Sequence, residues 1–212
     1  MEIQPAHFHQ FVGSTDVSTV EMNLRGGSVT AVYRPVEEQQ ALRTAGEALG
    51  PRLGVYEFLQ ALPLGEWVPI NTLSDRERRI LPAVPTWARR RRSGQLLRLA
   101  DRPVRLGLLV TVGADWLDSL ERACVLSLGA PRMAVCSGLS GDRERAVWEA
   151  DYRGVGLAEH RDGELRVLVS PRTTVPESLA SLRWRMAERV FAASQGKFKT
   201  QNPPRIAAPA EV

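Results

Sequence analysis

The chain has 212 residues, with a hydrophobic fraction of 43% and a charged fraction of 25%, the balance of a folded globular protein rather than a disordered one. No apolar run approaches the roughly 20 residues of a membrane-spanning helix. The opening Met1-Glu2-Ile3-Gln4-Pro5 also lacks the basic start and apolar core of a secretion signal. The net charge of +4 conceals an uneven distribution, because between Asp75 and Arg105 ten arginines stand against three acids, a local +7 that leaves −3 for the rest.

Two cysteines, Cys124 and Cys136, are too few for a disulfide framework or a four-cysteine zinc site. They are expected as buried, reduced thiols in a cytoplasmic protein without a membrane partner. Twenty-six of the 28 basic residues are arginine, a bias across the whole chain, so the clustering of charge carries more weight than its abundance.

In chain order, Phe11-Val12 and then residues 17–24 and 29–33 have β character, with Arg25-Gly26-Gly27-Ser28 predicting a hairpin between the last two. Pro35 ends the strand, and helical composition over 36–49 closes at Gly50-Pro51. Val55, Phe58, Leu59 and Leu62 fall at i, i+3, i+4 and i+7, the spacing of one helical face. Trp67-Val68-Pro69-Ile70 is extended, and its proline restricts it to a sheet edge. Ser74-Asp75-Arg76-Glu77 has the capping-box pattern, in which serine and glutamate each satisfy the other's free backbone N–H, so a short helix starts there and stops before Pro82. Pro85-Thr86 then predicts a helix through Trp87 and Arg89-Arg90-Arg91-Arg92, closing at Gly94. Residues 96–99 and 104–112, joined by Asp101-Arg102-Pro103, are expected to pair as a second hairpin.

Beyond this, residues 115–128 suit a buried helix and 133–136 a strand, followed by a Gly/Ser loop over 137–141. Residues 152–159 and 165–170 flank Arg161-Asp162-Gly163, a hairpin signal, and 178–195 is a helix with Leu179, Leu182, Met186 and Val190 along one side. The hairpin and this helix are expected to form a subdomain together with the N-terminal strands. These segments give an α+β protein divided into a β-rich segment with a helix (1–50), a basic module (51–112), an α+β subdomain (113–195) and a flexible tail (196–212).

The order helix, short strand, helix, basic helix, hairpin over roughly residues 52–112 resembles a winged helix-turn-helix domain. The resemblance lies in element order and charge placement. It implies that the helix carrying Arg89, Arg90, Arg91 and Arg92 is the recognition helix, and that Arg98, Arg102 and Arg105 lie on or beside the wing. Arg76 and Arg79, on the preceding helix, complete the expected contact set. Guanidinium groups suit phosphates and guanine edges because their planar donors engage two acceptors at once. The expected partner is therefore nucleic acid, duplex DNA in preference to RNA, bound by a homodimer or a component of a larger complex, without a cofactor. Trp87 is expected to anchor its helix to the core rather than to stack on a base.

Two alternatives have a basis in the residues. In the first, the arginines of a structural or adaptor subunit grip RNA or an acidic protein. In the second, Glu149, Asp151, Asp162, Glu164 and Arg166 form a metal-dependent nuclease site, although an arginine stands where such chemistry favours lysine and Asp162-Gly163 is accounted for as a turn. His7 and His9 would point the same way on a strand, but no neighbouring cysteine or acid completes a metal site. The glycine-rich stretch 136–141 has neither a nucleophile elbow nor the lysine and spacing of a phosphate-binding loop.

Overall fold

The computed structural model describes residues 5–12, 16–24, 27–43, 46–126, 129–139, 141–174 and 176–197. Two sheets organise the chain. Strands β1 (Ser18–Leu24), β2 (Gly27–Pro35), β6 (Val104–Gly113), β7 (Arg132–Cys136), β8 (Gly156–Arg161) and β9 (Glu164–Val169) form a six-stranded sheet in the order β1-β2-β6-β7-β8-β9. The centre, β6-β7-β8, is parallel, and both margins are antiparallel. Strands β3 (Trp67–Pro69), β4 (Arg89–Arg92) and β5 (Gln95–Arg98) form a second sheet in the order β3-β5-β4.

The large sheet buries its two faces differently. Helices α5 (Trp116–Cys124), α6 (Arg143–Arg153) and α7 (Ala180–Ser194) cover the face presenting Tyr33, Leu109, Ala134 and Leu157. The opposite face, with Val32, Leu108, Val110, Met133 and Val135, is capped by Phe8 and Phe11, the latter on α1 (His9–Val12). Successive residues of the central strands, Met133 and Ala134 on β7 and Leu157 and Ala158 on β8 among them, belong to opposite clusters, as the two-residue period of a strand requires. Gly129 lets α7 approach: a Cβ there would sit 2.8 Å from the backbone nitrogen of Arg183. Gly129→Ala is therefore expected to destabilise the fold by roughly 1–3 kcal/mol, as forced overpacking does, read as a lowered midpoint in urea.

The expected N-terminal hairpin is present, with Leu24 opposite Gly27. At the other margin Asp162 (φ 53°) and Gly163 (φ 83°) make the two-residue turn between Arg161 and Glu164. The N-terminal strands share one sheet with the C-terminal hairpin, and α7 packs on that sheet, as expected. Phe11 and Val12 lie in α1 rather than in a strand, and so does His9. The helix expected over 36–49 is only α2 (Glu37–Ala41).

The small sheet lies within the connection between β2 and β6, whose end residues Pro35 and Val104 face each other. The chain leaves through α2, runs through α3 (Leu53–Ala61), β3, α4 (Asp75–Ile80), β4 and β5, and returns. The capping box at Ser74 and Glu77 is formed in full, and β3 is an edge strand as its proline demands. The helix expected over Arg89–Arg92 is absent. Pro82 and Pro85 break this stretch into two short 3₁₀ turns, Leu81–Ala83 and Thr86–Ala88. The arginines follow as strand β4. Ser93 (φ 47°) and Gly94 (φ 74°) then form the two-residue, left-handed turn that joins β4 to β5.

The hairpin expected between 96–99 and 104–112 is corrected as well. Strand β5 pairs with β3 and β4, and β6 belongs to the large sheet beside β2, so the small module ends before Val104 rather than at residue 112. Residues 152–153 belong to α6, and the strand expected from 152 begins at Gly156. The tail expected over 196–212 lies outside the described residues beyond Lys197.

Leu59, Leu81, Val84 and Leu96 build the core of the small module, and Trp184 of α7 completes it. Beside Trp184 lies a buried polar knot. Glu188 accepts from Arg43 (2.6 Å), from the indole Nε1 of Trp184 (3.1 Å) and from the backbone N–H of Leu49 (3.0 Å). Arg43 also donates to the carbonyl of Asp101 (2.7 Å) and lies over the rings of Trp87 and Phe191. Tyr56 is buried against Trp184 and donates to the carbonyls of Leu49 and Gly50. Burial, reinforced by the Glu188 carboxylate, pushes its phenol well above the ordinary value. At pH values between the ordinary and the raised value, the unfolded chain releases a proton that the folded chain keeps. Stability is therefore expected to fall as pH rises above about 10, by up to about 1.4 kcal/mol per pH unit. Alkaline urea titrations check this, and the dependence should weaken in Tyr56→Phe.

Candidate nucleic-acid interface

Antiparallel register fixes where each arginine of β4 points. Arg90 stands opposite Leu97, which stands opposite Trp67; Arg92 and Gln95 are opposite each other and face Pro69 across the sheet. Residues in one cross-strand row share a face, so Arg90 and Arg92 lie on the same side as Trp67, which is 38% exposed. Arg91 belongs with Leu96 and Val68 on the side turned to the module's core, yet at the sheet edge it is exposed. The side chains of Arg90, Arg91 and Arg92 make no ion pair or hydrogen bond with any described residue. Arg89 is different: its Nε donates to the carbonyl of Val84 (3.0 Å), and burial followed by the charge of Arg91 lowers its pKa.

The remaining expected contact residues scatter. Arg76 pairs with Glu57 (3.0 Å) on the surface, and Arg79 donates to the carbonyl of Asp75 within α4. Arg98 is a core residue. It donates to the carbonyls of Ala100 (2.8 Å) and Leu62 (2.9 Å), pairs with Asp101 (3.1 Å) and lies 4.8 Å over the ring of Trp184. Burial is the largest influence on its pKa and lowers it, with Asp101 acting in the opposite sense. Such a buried guanidinium, three of its five N–H donors committed to partners inside the protein, organises the module rather than presenting itself to a phosphate.

Arg102 and Arg105 are not on a wing. They line a cleft of about 470 Å³ between the small module and the large sheet, and Arg183 of α7 joins them there. Arg183 gave no sequence signal, since it sits in an amphipathic helix far along the chain from the other two. Trp87 anchors the core, as expected, with Arg43 4.9 Å from its ring centre.

The carboxylates of the nuclease alternative are dispersed. Glu149 pairs with Arg153 on α6, Asp162 with Arg161 at a hairpin tip, and Glu164 begins β9. Among the described residues no three His, Cys, Asp or Glu side chains converge as a metal site. His7 comes instead against His160, rings 6.3 Å apart. Cys136 is buried and its thiol is pushed up chiefly by that burial, the opposite of an activated nucleophile. Among the described residues no helix is long and apolar enough to cross a membrane. Compared with models of protein families, with curated proteins and with solved structures, the chain matches none of them.

Proposed function

We propose that this chain is a non-enzymatic nucleic-acid-binding protein that grips duplex DNA with the β4–β5 hairpin, as a regulator or as a component of a DNA-handling complex. The observation that carries this reading is the exposed run Arg90-Arg91-Arg92 on a tightly turned hairpin, its guanidiniums unmatched by any described carboxylate. A two-stranded ribbon fits the B-DNA major groove, about 12 Å wide, whereas the deep, narrow major groove of A-form RNA refuses it. Trp67, level with Arg90 on the same face, adds a ring to the contact surface. With no helix over Arg89–Arg92, the contact role in this reading falls to the β4–β5 hairpin itself.

The test is fluorescence anisotropy with labelled duplex DNA, single-stranded DNA and structured RNA across a range of salt. Duplex preference with a steeply negative salt slope is the expected result, since phosphate contacts release counterions. Equal, weak binding to all three would remove the proposal.

A structural or adaptor subunit is the second reading, and α6 favours it. Trp148 and Tyr152 stack in parallel there, ring centres 5.6 Å apart, at 66% and 74% exposure. Large aromatic side chains so exposed are characteristic of partner contacts. A monodisperse monomer that binds duplex tightly by itself would count against that reading.

A further inference from the structure

The cleft between the two sheets has the makings of a second, separate anion site. Arg102, Arg105 and Arg183 line it from three segments: the return loop, the start of β6 and the first turn of α7. The one carboxylate among its lining residues, Asp101, is already paired with Arg98. The Nε of Arg102 is buried with no hydrogen-bond partner among the described residues, a costly state for a charged donor. Burial first, then the neighbouring charge of Arg102, lowers the pKa of Arg183, with the Glu177 carboxylate acting in the opposite sense. Arg34 stands directly opposite Arg105 on β2, another like charge in register.

An assembly of guanidiniums around one cleft is stabilised by an anion that supplies acceptors to several at once. The rest of the lining is apolar, from Val36, Val104, Leu106 and Ala187, and the volume falls in the range of small-ligand sites. We propose that this cleft binds a phosphomonoester of about mononucleotide size, the phosphate held by Arg102, Arg105 and Arg183 and the remainder resting against the apolar lining residues. The phosphate belongs either to a free nucleotide or to the 5′ end of a strand.

The two sources and the hairpin are separated by one set of titrations on the full chain. Adenosine 5′-monophosphate, inorganic phosphate, and a short single strand with and without a 5′-phosphate are titrated calorimetrically. The same is done for Arg102→Gln, for Arg105→Gln and for the hairpin variant Arg90→Ala/Arg91→Ala/Arg92→Ala. Binding of the nucleotide, weakened about tenfold or more in Arg102→Gln and Arg105→Gln and unchanged in the hairpin variant, is expected. A strand bound only when 5′-phosphorylated, with the same sensitivity to Arg102→Gln, would assign the phosphate to a strand end. No binding of any phosphate probe at millimolar concentration overturns the proposal, as does binding indifferent to both glutamine variants. Arg105 is exposed, so Arg105→Gln stands as the test should Arg102→Gln fail to fold.

Discussion

Replacing Arg90, Arg91 and Arg92 together by alanine is expected to weaken duplex DNA binding about 100-fold at low salt and to flatten the salt dependence by about 2.7 in log–log slope, three contacts at about 0.9 each. The thermal midpoint should stay close to that of the parent. All three side chains are exposed and make no hydrogen bond or ion pair with a described residue, so their removal leaves no donor or acceptor stranded in the interior. Arg98→Ala gives the contrast. It strips hydrogen bonds from two carbonyls and an ion pair from Asp101, and it opens space over Trp184, so it should lower stability before it touches affinity. Undiminished binding by the triple variant would end the hairpin hypothesis.

Glu188→Ala is expected to produce the largest loss of stability. The carboxylate is 1% exposed and accepts from Arg43, Trp184 and the Leu49 amide, so its removal leaves a buried guanidinium and two further donors unmatched. Breaking a buried pair from one side costs about 3–5 kcal/mol. In a chain of this size that lowers the thermal midpoint by roughly 10 °C. The double replacement Arg43→Met/Glu188→Leu removes the stranded charge and should regain part of the loss, though the Leu49 and Trp184 donors stay unmatched. Equal destabilisation by the single and double variants would show that these two donors, rather than the ion pair, dominate the knot.

Elements specified by nearby residues were readable in advance. Ser74 and Glu77 announce α4 because each satisfies the other's backbone donor three residues away, and Asp162-Gly163 announces its hairpin because the turn itself demands left-handed residues. Ser93-Gly94 carried the same kind of signal, but Gly94 was equally suited to ending a helix. The choice depended on whether residues 89–92 would pair with 95–98, and Leu96 and Leu97 after the turn were the available hint. The partner of β6 is β2, some seventy positions earlier, and no local pattern encodes so distant a pairing. Helix α6 was hidden for another reason. Its buried side consists of Ala146 and Ala150, while Trp148 and Tyr152 face water, so its apolar pattern pointed the wrong way. The density of arginines was legible; their division into hairpin, core and cleft was not, because it depends on which of them the fold buries.

The facing of Pro35 and Val104 makes everything between them an excursion whose two ends meet at one rung of the large sheet. The 68 residues of this excursion (36–103) leave and re-enter at that rung without interrupting the order of the large sheet's strands. The excursion does not complete its own interior, since Trp184 and Glu188 of α7 supply part of it. Excising residues 36–103 and closing the turn with two residues would therefore bare the flank of α7 that carries Trp184 and Glu188.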